Sequence, residues 1–360
     1  MEIPVLSLRC RLLAFSLLLS APAVFAGQDC SRLPISGQQP QWVSSAAYLA
    51  PMDKLAIVDP LRNKLVLLDL QGAARDYDSA RLGVTEEAMT PAIVSSTPQG
   101  LALMMVDQQV YWYGPDFKKL KVSDLAKASV GSQGKVLGTY DSVYNGNYFF
   151  SVGAVKPADG KLRVGFFRMP AADPTRFKFL TDIPAPDYYV LGHQYITTLH
   201  GNDYAILMSE HPTILEFSRN GEHRVLDVIP KRFKVSPLKT PATGPSSDEP
   251  MYREIEGLSI PVGLYHQGDY LYLLTREPGA TGSTIWRLYR IDPKQGRLVG
   301  QESVLPTSAN HLTAVAGTNS WYFIEKGPVL PRGNQEVKTI LTISKAAVLK
   351  HTIPSQCPSQ

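Results

Sequence analysis

Residues 54–72 read KLAIVDPLRNKLVLLDLQG: two short apolar runs around a polar knot. The runs Lys54–Asp59 and Lys64–Asp69 are mostly Leu, Ile, Val and Ala. Runs this short and this continuously apolar read as strands packed on both faces. Between them, Asp59-Pro60-Leu61-Arg62-Asn63 is a turn, because Pro presets its φ and Asn tolerates left-handed backbone. Leu70-Gln71-Gly72 stops the second run.

The same rhythm recurs along the chain. Runs at 42–49, 54–59 and 64–69 form a first unit, and 92–96, 101–106 and 109–113 a second. Further units follow at 139–144, 148–152 and 162–168; at 195–201, 203–208 and 213–221; at 262–268, 269–275 and 285–292; and at 312–319, 320–325 and 337–344. Short polar turns join first to second runs: Pro98-Gln99-Gly100, Gly146-Asn147, His200-Gly201-Asn202-Asp203, His266-Gln267-Gly268-Asp269 and Gly317-Thr318-Asn319. Gly and Asn accept positive φ there at little cost. Helical periodicity is confined to 85–89 and 122–129. Six units at a spacing of roughly 45–55 residues, each with a weaker fourth strand, predict an all-β, six-bladed β-propeller with four-stranded blades over 27–360. Residues 230–256 break the rhythm with a Pro-rich insertion that begins basic and turns acidic. It reads as a surface loop between the fourth and fifth units, or as an arm over one face.

The first unit, with Asp59-x-x-x-Asn63 between strands and Leu68-Asp69-Leu70-Gln71-Gly72 at its close, resembles a blade of the NHL-type six-bladed propellers. That resemblance implies the fold; it implies little about function, because propellers host many activities.

The ends of the chain speak of compartment. Arg9 and Arg11 precede an apolar core at 12–19, too short to anchor in a bilayer, and Val24-Phe25-Ala26 fits a peptidase site. Residues 1–26 therefore read as a secretory signal cleaved after Ala26, and the protein as exported, to the periplasm or beyond, with no membrane span. Cys10 leaves with the signal. Cys30 and Cys357 then predict a disulfide joining the termini, worth about 5 kcal/mol at most by loop entropy. The whole chain carries a formal charge of +4, too small and scattered to argue for nucleic acid.

No nucleophile elbow, His-Glu-x-x-His, phosphate loop or dinucleotide fingerprint is present in the sequence. In a propeller the starts of the innermost strands converge on the axial funnel. Those starts hold Gln41, Thr90, Asp141, His193, Glu256, and Asn310 with His311. Asp141, His193, Glu256, Asn310 and His311 are the ligand-binding candidates. Glu256-Gly257-Leu258 is similar to the metal-glutamate segment of lactonase-like propellers, which implies a ligand role for Glu256. Two readings stay open. One is a binding module presenting a face or funnel to a protein, peptide or glycan. The other is a metal-dependent, lactonase- or esterase-like hydrolase. There Glu256 and Asp141 would hold calcium or zinc and His193 or His311 would act as ligand or base.

Overall fold

The computed structural model describes residues 30–33, 36, 40, 43–70, 73–84, 90–130, 134–157, 160–183, 195–208, 211–231, 233, 258–279, 284–299, 303–305, 311–326 and 342–347. Strand β1 (Cys30–Leu33) stands apart from the strands that follow it in sequence. The first sheet is β2 (Ser45–Leu49), β3 (Lys54–Asp59), β4 (Lys64–Asp69) and β5 (Ala74–Tyr77). The second is β6 (Pro91–Thr97), β7 (Gly100–Met105), β8 (Gln109–Tyr113) and β9 (Lys119–Asp124). The third is β10 (Gly134–Tyr144), β11 (Tyr148–Pro157), β12 (Arg163–Pro170) and β13 (Lys178–Asp182). The fourth is β14 (Ile196–Leu199), β15 (Asn202–Leu207), β16 (Thr213–Phe217) and β17 (His223–Leu226). The fifth is β18 (Ile260–Gln267), β19 (Tyr270–Pro278) and β20 (Thr284–Asp292), with β21 (Arg297–Leu298) and β22 (Ser303–Val304) both paired to β20. The last is β23 (His311–Ala316), β24 (Ser320–Lys326) and β25 (Thr342–Ala347), completed by β1.

Within each sheet all pairings are antiparallel, the meander of a propeller blade. The first strands form a ring: β2 lies beside β6, β6 beside β10, β10 beside β14, β14 beside β18, β18 beside β23, and β23 returns to β2.

The quoted stretch behaves as its composition dictates. Pro60–Arg62 is one turn of 3-10 helix and Asn63 follows at φ 51. The hairpin before it uses the same device, Ala50–Met52 ending on Asp53 at φ 51. Arg62 Nη2 and Lys64 Nζ then bond Asp76 Oδ2 on β5 at 2.5 and 2.9 Å, tying the turn to the sheet's outer strand. Alternate residues of β3 serve different cores. Leu55 and Ile57 pack with Val315, Tyr322 and Ile324 of the last sheet, and Ala56 and Val58 with Leu101 and Leu103 of the second. A strand covered on both faces reads as a continuous apolar run.

Three expectations are corrected, and the Cys30–Cys357 disulfide falls partly outside the described residues. The blades are not six uniform four-stranded units: five sheets have four strands, and the fifth in chain order gains another because both β21 and β22 pair with β20. The chain closes through strand pairing, Cys30↔Ala346 to Leu33↔Ile343. No disulfide is found among the described residues; Cys357 lies outside them and Cys30 is placed by its backbone alone. The short helix expected at 122–129 divides between β9 and a 3-10 turn, Leu125–Val130. The third strand of the last unit, expected at 337–344, is Thr342–Ala347. The signal segment and most of the Pro-rich insertion lie outside the described residues.

One glycine is required by geometry. Gly100 opens β7 at φ +135, and a Cβ there would sit 2.2 Å from the Tyr113 carbonyl oxygen. Both the conformation and the close approach exclude a side chain. Gly100→Ala is expected to lower stability by more than about 1 kcal/mol, read as a shift in the urea midpoint at unchanged slope.

The third and fourth sheets are locked by a buried ion pair. Arg168 Nε meets Asp203 Oδ2 at 2.6 Å, and Asp203 is fully buried. The other guanidinium nitrogens donate to backbone carbonyls: Nη1 to Arg219 at 2.9 Å, Nη2 to Ser218 at 2.8 Å. Tyr148 Oη and Asn145 Nδ2 donate to the same carboxylate at 2.9 and 3.3 Å. Burial pushes the Asp203 carboxyl above its usual range, and Arg168, Tyr148 and Asn145 pull against that shift.

Candidate axial site

The inner strands can be aligned by counting back from the hairpin each one enters. Thr97 pairs with Gly100, Asn145 with Tyr148 and Gln267 with Tyr270 at the mouths of their turns. Four residues earlier stand Ile93, Asp141 and Gly263, paired with Met104, Val152 and Leu274. In each of these strands the register slips by one residue just before that position, leaving Ala92, Tyr140 or Val262 as the extra residue. Such bulges re-aim the side chain that follows. In β10 the extra Tyr140 is thrown outward, 52% exposed, and Asp141 is turned in, 6% exposed. By the same count the first sheet offers Ser45, the fourth Tyr195 and the last Thr313.

These positions fasten each inner strand to the next in alternation. Ser45 Oγ accepts from Val94 N–H at 3.2 Å. The Asp141 carboxyl accepts from Tyr195 N–H as well as from Ser142 N–H, the latter at 2.8 Å. In the fifth sheet the position is Gly263, where a Cβ would lie 2.5 Å from the Tyr265 hydroxyl oxygen. The phenol thus fills the space a side chain at 263 would take, and Ala314 N–H of the last sheet reaches its oxygen at 3.4 Å.

Asp141 is the chemically unusual member. Among the described residues its buried Oδ2 has no hydrogen-bond partner, and neither has the buried Thr139 Oγ1, two residues before it. Burial drives the Asp141 carboxyl well above the ordinary carboxylate range; the two backbone N–H groups oppose the shift without reversing it. Its protonated form is therefore favoured over what an exposed aspartate would show. Tyr265 is pushed up strongly, first by burial, with Asp141 and Tyr195 adding to the shift through their charges. One carboxyl and two phenols from three consecutive sheets therefore share one field at the ring of inner strands. They offer hydrogen-bond donors and acceptors, and one carboxyl whose ionisation burial opposes.

Of the residues expected at the funnel, Asp141 lies on β10, one of the ring of first strands, and is buried. His193, Glu256 and Asn310 lie outside the described residues, as does Gln41. His311 opens β23 opposite Lys326, placed by backbone alone. Thr90 is committed elsewhere: its Oγ1 donates to Asn63 Oδ1 at 3.1 Å, a contact with the first sheet's hairpin. Among the described residues no three His, Cys, Asp or Glu side chains group around a metal-sized space. Tyr195 and Tyr265 were not legible as site residues, since Tyr is abundant; the count back from the turn marks Tyr195, and only the space at Gly263 marks Tyr265. Among the described residues no helix is long and apolar enough to cross a membrane.

No protein-family model and no curated protein sequence matches the chain. Solved structures do. A member of the duf4221 family from Bacteroides vulgatus aligns over 89% of this chain and 96% of its own at TM-score 0.57 and 9% identity. A gluconolactonase from Xanthomonas campestris aligns over 88% and 89% at TM-score 0.51 and 13% identity. A luciferin-regenerating enzyme aligns over 89% and 94% at TM-score 0.51 and 10% identity. At these identities the likeness is one of fold: the chain is an all-β propeller with four-stranded antiparallel blades.

Proposed function

We propose that this protein is an exported binding propeller whose axial funnel, around Asp141, takes the polar end of a protein, peptide or glycan. The observation that carries the reading is the buried Oδ2 of Asp141, without a partner among the described residues, on a carboxyl that burial pushes toward its protonated form. A buried polar atom left without a partner costs about 1–3 kcal/mol, a penalty that a guest with a matching donor or acceptor removes. In its protonated form the acid donates through O–H and accepts through its carbonyl oxygen, which suits hydroxyl and amide groups alike. Export, with cleavage after Ala26, belongs to the same proposal and rests on the leader sequence.

A second reading has one observation in its favour. Asp141 belongs to one of the first strands, from which the hydrolase reading takes a metal ligand beside Glu256. Its unpartnered oxygen would suit calcium or zinc, which on binding would displace the proton and supply Lewis acidity.

A thermal melt separates the two: protein as purified, with chelator, and with calcium or zinc restored. A ligand that binds only the folded state, at a hundred times its Kd, adds about 2.7 kcal/mol. The binding reading expects a midpoint indifferent to chelator and metal. A chelator-sensitive, metal-restored shift that disappears in Asp141→Asn would overturn it in favour of the hydrolase, and lactones and esters would then be assayed.

A further inference from the structure

Two arginines hold the same place in alternate sheets. Arg168 of β12 pairs with Phe150, the third residue of β11, and Arg290 of β20 pairs with Tyr272, the third residue of β19. Each guanidinium lies over the tyrosine that opens its sheet's second strand: 4.9 Å from the Tyr148 ring centre for Arg168, 4.7 Å from that of Tyr270 for Arg290. Both arginines are buried. The amides at the hairpin mouths also correspond. Asn145 Nδ2 reaches Asp203 in the next sheet, and Gln267 Nε2 reaches the Gly317 carbonyl of the last sheet at 2.7 Å.

The acceptors do not correspond. Asp203 is the second residue of β15; the second residue of β24 is Trp321. Where Arg168 Nε meets a carboxylate, Arg290 faces a sheet whose equivalent residue is an indole. Among the described residues, the buried Arg290 Nε and Nη1 have no hydrogen-bond partner, and neither has Trp321 Nε1. Tyr272 links the two: it is the register partner of Arg290, and its ring centre is 4.9 Å from that of Trp321. Two guanidinium nitrogens and the indole nitrogen are thus withdrawn from water with no acceptor among the described residues. Buried donors left in that state carry a desolvation penalty unless a ligand meets them.

We propose that Arg290 and Trp321 form a binding site for a carboxylate group of a ligand from outside the chain, set between the fifth and last sheets. The guanidinium fork and a carboxylate match in geometry, and charge-assisted bonds of this kind are the strong ones. The template is internal: the Asp203 carboxylate does for Arg168 what the ligand does for Arg290. The site is separate from Asp141 and goes beyond the axial reading, so either can fail alone.

The test uses acetate as the probe, replacing chloride at constant ionic strength, with the thermal midpoint as readout. Wild type is expected to rise saturably with acetate, and Arg290→Met to show no rise. Trp321→Phe keeps an aromatic ring but loses one donor, and is expected to need about tenfold more acetate for half effect. If Arg290→Met does not fold, Arg290→Lys retains the charge without the fork and is expected to shift the half-effect concentration at least about tenfold. No saturable rise in wild type, an equal response to chloride, or an acetate response in Trp321→Phe identical to wild type overturns the proposal.

Discussion

Asp141→Asn is expected to be more stable than wild type at neutral pH and equal to it near pH 4. The cause is the buried carboxyl, held well above its ordinary range by desolvation. Below about pH 4 the folded and unfolded chains both carry the proton, so the group contributes no difference. As pH rises through that value the unfolded chain releases the proton and the folded chain keeps it. Folding then takes up a proton, and wild type loses about 1.4 kcal/mol per pH unit until the folded group itself ionises. The amide does not titrate. It still accepts through Oδ1 and places N–H where the neutral acid places O–H, so near pH 4 the two differ little. The measurement is the difference in urea midpoint between wild type and variant from pH 4 to pH 8. A gap that widens with pH supports a neutral, enclosed acid. A constant gap would mean that Asp141 titrates as it does in the unfolded chain, and the funnel reading would lose its carrying observation. A resident cation would reverse the trend, because the ionised form would then be the one stabilised in the fold.

Breaking the Arg168–Asp203 pair from either side is expected to cost about 3–5 kcal/mol. Arg168→Met leaves Asp203, fully buried, with only the Tyr148 and Asn145 donors. Asp203→Leu leaves a guanidinium buried against three backbone carbonyls with no opposite charge. The double variant is expected to recover much of the loss, since replacing both charges with apolar groups removes the desolvation penalty along with the attraction. Equilibrium urea unfolding of the two single variants and the double gives the coupling directly. If the losses add, the ion pair does not lock the third sheet to the fourth. The contrast with Arg290 sharpens the expectation: the chain builds the same arginine-on-tyrosine arrangement twice and supplies the carboxylate only once.

Much of the architecture follows from local rules visible in the sequence. Residues 54–72 form a hairpin because two short apolar runs meet at a Pro60 that opens a 3-10 turn and an Asn63 that tolerates φ 51. His200-Gly201 turns with both residues at positive φ, 53 and 82, again as the residue types allow. The sequence marks Asp141 as a strand start, yet β10 begins at Gly134, because the strand runs back through two register slips. The upward shift of its carboxyl was not legible, because burial is a sum over residues distant in sequence. Tyr265 entered the site only because Gly263 vacates the space for its hydroxyl.

The sequence by itself determined the antiparallel meander, its repetition, and the turns, since these depend on residues a few positions apart. The tertiary structure alone decided how the ring closes. Pairing Cys30–Leu33 with a strand at the far end of the chain is a contact between residues more than three hundred apart, with no local signal. It also decided which polar groups find partners: Arg168 and Arg290 look alike in sequence, and only the register of the following sheet sets Asp203 before one and Trp321 before the other. Hydrogen bonds and charges act across sheets over a few ångströms, so the satisfaction of a buried group depends on the neighbour that folding brings to it.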